Sequence, residues 1–376
     1  MMKTIVFDHQ IFESQPFGGI SKVYCDRTYI LKKYLNCIIS IKASDNQALL
    51  LSNLVYDIKP IKHFNWGGLS NHHFPLKRTL TRILNNSNQN INNTKKILRK
   101  GDYDIFEPTY YNPYFLKYIK SKPFVIEIHD MIPEMLPHIY NDNGLVSNKR
   151  LLIEQATHIH TPSEKTKNDI VNLYGIVPEK ITVVPHGVPS MPHDNEEKLF
   201  IFPYLLYVGA RWDYKNFIPF LKEYAKITND FSDLHLVCTG YRFTENEIKI
   251  ISDLKIQNKV HHFDPSISHF HSLYHNAVAF VFPSLYEGFG LPILEAWSCG
   301  CPVLLNNASC FPEVAGNAAL YFELNERQNN FYEVFEQLWQ MSSEDREKLI
   351  NKGYERLKLY SWEESAKKLA DIYNQL

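Results

Sequence analysis

The sequence predicts an α/β protein made of two Rossmann-like units, and three observations carry that expectation. At 376 residues the chain is too long for one hydrophobic core, so two domains are expected. The second half alternates short apolar runs with helical patterns, which implies right-handed βαβ units on a parallel sheet. The chain also opens with a strand, a glycine-bearing loop and a helix. The first strand is Lys3 to Asp8, the loop FESQPFGGISK holds Gly18 and Gly19, and the helix runs to about Leu35. That order suits a nucleotide-binding unit, but GxGxxG is absent and an NAD enzyme is set aside.

In the first half, Cys37 to Ile41 and Asn53 to Ile58 carry weaker strand signals. From Pro75 to Lys100 apolar residues recur near helical spacing (Leu76, Leu80, Ile83, Leu84, Ile91, Ile97, Leu98), threaded with Lys77, Arg78, Arg82, Lys95, Lys96, Arg99 and Lys100. Asp102-Tyr103-Asp104 spells a D-x-D triplet, read here as the opening of the strand at Ile105-Phe106 rather than as a metal site. Pro123 to Ile128 is a strand with His129 and Asp130 at its exit. Leu151 to Ala156 continues a helix and His158 to Thr161 is a strand. Ser163 suits the N-cap of the next helix. After a strand at Ile181 to Val184, the polar, Pro-rich stretch PSMPHDNEEKLFIFP reads as a linker. The expected domains are therefore residues 1–188, residues 189–358, and a C-terminal amphipathic helix in 359–376.

In the second half, Leu205 to Gly209 is a strand followed by GARWDYKN, with Asn216 placed to cap a helix carrying Phe217, Phe220, Leu221 and Tyr224. Arg211 and Lys215 at a strand's carboxyl end, beside a helix start, make an anion site. Strands follow at Leu234 to Gly240 and Val260 to Phe263. The most informative stretch is PSLYEGFGLPILEAWSCGCPVLL, residues 283–305, between strands at Val278 to Phe282 and Pro302 to Leu305. Pro292 suits a helix's first position and Gly300 its end. Glu287 falls on the loop beyond a strand's carboxyl end. Glu295 falls eight residues on, in the first turn of the helix. Ligands of open α/β sheets bind at that edge.

Residues Glu287-Gly288-Phe289-Gly290-Leu291-Pro292 and Glu295-Ala296 closely resemble the Glu-x7-Glu signature of retaining glycosyltransferases of family 4 (group 1) with the GT-B fold, mannosyltransferase-like members included. The resemblance covers nearly the whole chain, strongly from Leu205 onward and loosely before Pro123. It implies two Rossmann-like domains facing across a cleft, with the last helix returning to the first domain. Catalytic roles fall by resemblance to Glu287, facing the donor sugar, to His129, lying against it, and to Arg211 and Lys215, gripping the pyrophosphate. Donor binding falls to Gly18, Gly19, Ile267, Gly288, Phe289, Gly290, Leu291 and Glu295, the last holding the ribose. Pro189 and Asn317 stand where the family usually has Asp. The implied reaction moves a hexose, first guess mannose from GDP-mannose and otherwise a UDP-hexose, onto a saccharide. Preorganised donors at the leaving diphosphate are worth roughly 3–4 kcal/mol each, and no metal or other cofactor is expected. A sugar-nucleotide epimerase or phosphorylase of the same fold, or a catalytically silent sugar-nucleotide-binding module, would use similar parts.

Net charge is −1, but residues 1–190 hold 23 Lys and Arg against 16 Asp and Glu, while the remainder holds 17 against 25. The basic segment 76–100, with Phe64, Trp66 and Phe74 upstream, either lies on an anionic membrane surface, where a lipid-linked acceptor would be met, or packs its stripe into the first domain. No base-reading module appears, so nucleic acid is not an expected partner. Six scattered cysteines without a CxxC pair, no secretory pattern in MMKTIVFD and no apolar run of membrane-spanning length point to a cytoplasmic setting, with peripheral membrane contact open.

Overall fold

The computed structural model describes residues 2–16, 18–55, 57–61, 88–139, 144–191, 198–264 and 269–376. The first unit holds β1 (Thr4–Phe7), β2 (Asn36–Ile39), β3 (Ile105–Glu107), β4 (Val125–Glu127), β5 (His158–Thr161) and β6 (Ile181–Val183). They pair in parallel as β2-β1-β3 and β4-β5-β6. A parallel bridge between Phe106 and Phe124 joins the two sets, with Phe106 N donating to Pro123 O at 3.1 Å.

The second unit holds β7 (Tyr204–Tyr207), β8 (His235–Cys238), β9 (Val260–His262), β10 (Ala279–Phe282), β11 (Val303–Asn306) and β12 (Leu320–Phe322). Their order is β12-β11-β10-β7-β8-β9, all parallel. The chain leaves β7 in one direction and returns to build outward from β10 in the other. Strand order therefore reverses between β7 and β10, and the loops after these two strands flank the reversal. Both faces are covered: Phe280 and Phe282 enter one hydrophobic layer, Ala279 and Val281 the other. This is why β10 reads as a continuous apolar run in sequence.

The helix Trp362–Gln375 lies along the helix Gly19–Leu31 of the first unit. Leu369, Ala370 and Tyr373 are buried in the first unit's core with Tyr24 and Leu31. Ser361 caps this helix, its hydroxyl accepting from Glu363 N at 3.2 Å. Glu363 in turn receives Lys33 Nζ at 2.8 Å and the Tyr34 hydroxyl at 2.6 Å. A Cβ at Gly187 would lie 2.3 Å from Trp362 N, so the segment linking the units crosses the start of this helix without room for a side chain.

Three local expectations are corrected, and one open alternative is narrowed. Asn53 to Ile58 is not a strand: Asn53 (φ 54°) and Asp57 (φ 60°) are left-handed, which breaks an extended run, and a helix Gln47–Leu51 precedes them. Asn216 (φ 57°) does not cap with its side chain, because its amide donates to the buried Leu324 O at 2.9 Å. The helix Leu291–Ser298 begins at Leu291, which puts Pro292 second and Glu295 beyond the first turn. In the described part of the basic segment, the helix Gln89–Lys100, Leu98 is buried in the first unit's core and Ile97 packs against it, while Lys95 and Arg99 lie over the Tyr118 ring. Lys77, Arg78, Arg82, Phe64, Trp66 and Phe74 lie outside the described residues.

The returning helix is fastened by the Tyr373 hydroxyl, which donates to the fully buried carboxylate of Glu107. Removing one hydrogen bond to a buried charge costs about 1.5–3 kcal/mol. Tyr373→Phe is therefore expected to lower unfolding free energy by about that amount in urea melts, with an unchanged m-value. A loss below about 0.5 kcal/mol contradicts the assignment.

Candidate functional site

Glu287 and Lys215 sit on the two loops flanking the strand reversal, and the side chains meet there: Lys215 Nζ lies 2.6 Å from Glu287 Oε1. Both are mostly sheltered, at 17% and 12% exposure. The loops are also joined through backbone, Leu285 N donating to Tyr214 O at 2.8 Å. Ser309 straps the main chain of Glu287. Its hydroxyl accepts from Glu287 N (3.2 Å) and donates to Glu287 O (2.7 Å). Nothing in the sequence singles out Ser309, whose φ of 54° turns it back onto that loop.

Beyond Glu287, Gly290 adopts φ 96° and hands the chain to the helix Leu291–Ser298. A left-handed turn at that point is cheap only for glycine. Backbone N–H groups of a helix's first turn have no intrahelical acceptors, which makes this end a ready anion site. Phe289 is buried against His186, ring centroids 4.9 Å apart. Glu295 Oε2 accepts from the Tyr274 hydroxyl at 3.1 Å. Burial pushes the Glu295 carboxyl up, opposed by that hydroxyl and by Lys22.

Arg211 sits differently from Lys215. Its Nε donates to Glu247 Oε1 at 2.7 Å, and its terminal nitrogens donate to the carbonyls of Thr239, Tyr241 and Arg242. Glu247 shares itself: its other oxygen accepts from Thr244 N at 2.7 Å in the capping box of the helix Glu245–Asp253. The guanidinium also packs over Phe243, 4.8 Å from the ring centroid. Arg211 thus ties the loop after β7 to the loop after β8.

The first unit meets this loop at close range. A Cβ at Gly288 would lie 1.7 Å from the His129 carbonyl oxygen, so only glycine fits there. A Cβ at Gly19 would be 3.8 Å from Leu291, which sets the first unit's glycine loop against the start of the helix. Gly18 is extended, at φ 177°. The structure therefore brings the loops that carry Gly19, His129, Lys215, Glu287, Gly288, Gly290 and Leu291 together where the two units meet. Ile267 lies outside the described residues.

His129 is buried, with Nδ1 3.6 Å from Glu127 Oε1 and Nε2 without a hydrogen-bond partner. Behind it is a buried polar network. Arg27 pairs with Glu127, and His160 Nε2 is 3.3 Å from Glu107 Oε1. Burial alone would push Glu127 up, but Arg27, His129 and His160 more than offset it and hold the carboxyl well below its usual range. Ligating atoms of Glu107, Glu127 and His160 lie within 4.8 Å of one another, the grouping among the described residues with metal-site spacing. Arg27 and Tyr373 already occupy both carboxylates, so these atoms form a hydrogen-bond network. Asp102 pairs with Lys100 at 2.6 Å and Asp104 accepts from Thr4 N at 2.7 Å, as a strand-opening pair would.

The two-unit parallel architecture with a returning helix is the GT-B fold. The Anabaena protein Alr3699/HepE, whose crystal structure is in complex with UDP and glucose, superposes over all of both chains with a TM-score of 0.71 at 14% identity. The model for the glycosyl transferases of group 1 matches residues 194–356, and that for glycosyltransferase family 4 matches residues 66–190. The O-antigen chain mannosyltransferase RfbU of Salmonella typhimurium is 31% identical over 198 residues, 52% of this chain and 55% of that protein. The Escherichia coli O-antigen chain mannosyltransferase B is 27% identical over 295 residues, 73% of this chain and 75% of that protein. The match thus spans about half the length of the first relative and three quarters of the second. The chain belongs to the family 4, group 1 glycosyltransferases.

Beside the cleft, burial pushes the His186 imidazole down to about 3. Between that value and about 6.5 the unfolded chain binds a proton there that the native chain does not, so stability present above pH 6.5 is lost as pH falls. The contribution reaches about 1.4 kcal/mol per pH unit for one such group. Chemical denaturation from pH 7 to 4.5 should show a shallower pH slope for His186→Gln than for the wild type. Equal slopes contradict the buried neutral imidazole.

Proposed function

We propose that this chain is a retaining, metal-independent transferase that moves a hexose from a nucleoside diphosphate sugar to a saccharide acceptor in surface-polysaccharide assembly. The observation that carries the reading is the Lys215–Glu287 pair at the strand reversal, beside the N-terminus of the helix Leu291–Ser298. A transferring glycosyl group needs a cation and N–H donors at the leaving diphosphate and a carboxylate near the carbon that becomes electron-poor. Lys215 and the helix N-terminus supply the first, worth about 3 kcal/mol per well-placed donor. Glu287 supplies the second, while His129 lines the sugar from the first unit and Glu295 holds the ribose hydroxyls. Arg211 acts by fixing the Lys215 loop. Departure and attack occur on one face of the sugar, and the leaving phosphate takes the acceptor's proton. The names of the O-antigen relatives favour GDP-mannose as the donor to try first, and the UDP of the Anabaena structure makes UDP-hexoses the second choice.

Glu287→Gln should leave nucleoside diphosphate affinity within about twofold and reduce transfer at least about tenfold, because the lost interaction belongs to the transition state. Product anomeric configuration, read by NMR, should match the donor, and EDTA should leave the rate unchanged. Wild-type turnover in the variant, or chelator inhibition reversed by manganese, refutes the corresponding part.

The acceptor proposed is a lipid-linked saccharide met at an anionic membrane surface. No helix among the described residues is long and apolar enough to cross a membrane, and the charge of the first 190 residues supplies the attraction, about 1 kcal/mol per basic residue near the surface. Pelleting with anionic vesicles at low salt should exceed pelleting with neutral ones, and Lys77→Glu, Arg78→Glu and Arg82→Glu together should abolish the difference. Equal pelleting with both vesicle types rejects the surface.

A further inference from the structure

The residues on either side of Glu287 both touch the first unit. Tyr286 belongs to the second unit by sequence, yet its ring is 4% exposed and sits in the first unit's core beside Met131, Leu152 and Ile170. Its hydroxyl donates to Asp169, itself 5% exposed. The other Asp169 oxygen receives Lys165 Nζ at 2.5 Å, and that ammonium lies 5.3 Å from the Tyr286 ring centroid. On the other side of Glu287, Gly288 is pressed against the His129 carbonyl with no room for a Cβ.

A second limb runs from the segment that straps Glu287. Two residues beyond Ser309 begins the helix Phe311–Ala315, which carries Glu313. Its two oxygens accept from Glu164 N (2.8 Å) and Lys165 N (3.0 Å). These open the helix Glu164–Tyr174, whose own cap, Ser163, accepts from Thr166 N at 3.2 Å. One helix of the first unit is thus capped by a side chain from each unit, a carboxylate from the second unit meeting the positive end of its dipole.

We propose that Tyr286, Asp169 and Glu313 are positioning residues: a clasp between the units that holds Glu287 at a fixed place relative to His129 during transfer. The inference rests on the reading of Glu287 as the carboxylate at the reacting sugar. None of the three needs to touch substrate. Their effect is to keep two half-sites, built on separate sheets, in register. An ångström of misplacement at a reacting group is enough to cost orders of magnitude in rate.

The test uses the full chain with Tyr286→Phe, Asp169→Asn, Glu313→Gln and the double variant Tyr286→Phe/Glu313→Gln. Spin labels at Leu51→Cys and Ile248→Cys, both exposed, in a Cys37→Ser background, report the spacing of the units by pulsed dipolar EPR; none of the three positions is on a helix that carries a clasp residue. The double variant should broaden the distance distribution, lower kcat about tenfold or more, and leave donor KM and nucleoside diphosphate Kd within about twofold. Tyr286→Phe should cost less in the Asp169→Asn background than in the wild type, since both weaken the same hydrogen bond, while Asp169→Asn alone also removes the charge that faces Lys165. An unchanged distance distribution overturns the clasp, whatever the activity. A broadened distribution with wild-type kcat, or a rate loss carried by KM alone, overturns its positioning role. Failure of the wild type to transfer from any donor refutes the functional reading separately, and the distances still decide the clasp.

Discussion

Two carboxylates, Glu107 and Glu127, end neighbouring strands inside the first unit with at most 1% exposure. Burying an unpaired charge costs several kcal/mol, a large share of a domain's net stability, so each must be answered locally. The answers come from far along the chain: Arg27 on the helix Gly19–Leu31, His160 on β5, and Tyr373 on the last helix. The first sheet, the returning helix and the placement of His129 beside Glu127 therefore depend on one network. Replacing either carboxylate with an apolar residue would leave Arg27 or His160 stranded. This is why the pair is better understood as an organising constraint than as a sum of stabilising contacts.

The second unit solves a different problem. Its sheet is apolar on both faces, so polar chemistry is confined to the loops at the strands' carboxyl ends. There the chain spends main-chain geometry rather than buried charge: Gly288 for close approach, Gly290 for the left-handed entry to a helix, Ser309 as a strap. The result is a carboxylate and an ammonium 2.6 Å apart, partly open to the cleft. Its net contribution to stability is modest once desolvation of both charges is counted, which leaves its placement at the strand reversal as its distinguishing feature.

Much of this was legible in the sequence because it is local. The spacing of Glu287 and Glu295, the glycines between them and the flanking apolar runs lie within 30 residues, and strand β5 and the Ser163 cap fell where the pattern put them. What failed locally was decided elsewhere. Asn216 keeps the N-cap position, but its side-chain amide is turned to a carbonyl 108 residues away. The left-handed Asn53 and Asp57 overrode an apolar run. Glu295 moved out of the first turn because Gly290, rather than Leu291, ends the loop. The contacts between units were invisible for the same reason: Asp169 and Tyr286 are separated by 117 residues, and Glu164 and Glu313 by 149. No periodicity records such a pairing.

The division of labour between Arg211 and Lys215 follows from geometry as well. In sequence they were paired by charge and spacing, and resemblance to the family gave both the donor pyrophosphate. A guanidinium presents a planar fork of donors, and that fork suits a carboxylate and carbonyls grouped around it. Arg211 finds that arrangement in Glu247 and the turn at Tyr241 and Arg242, between two aromatic rings. To turn toward a ligand it would have to abandon four hydrogen bonds and leave Glu247 without its cation. Lys215 carries a compact charge on a flexible stem, with one carboxylate contact and an open side. On the proposed reading, an incoming diphosphate would replace Glu287 at this ammonium and leave the carboxylate free to face the sugar. Donor binding and release of Glu287 would then be coupled, a role for which Arg211, held by Glu247 and three carbonyls, is less suited.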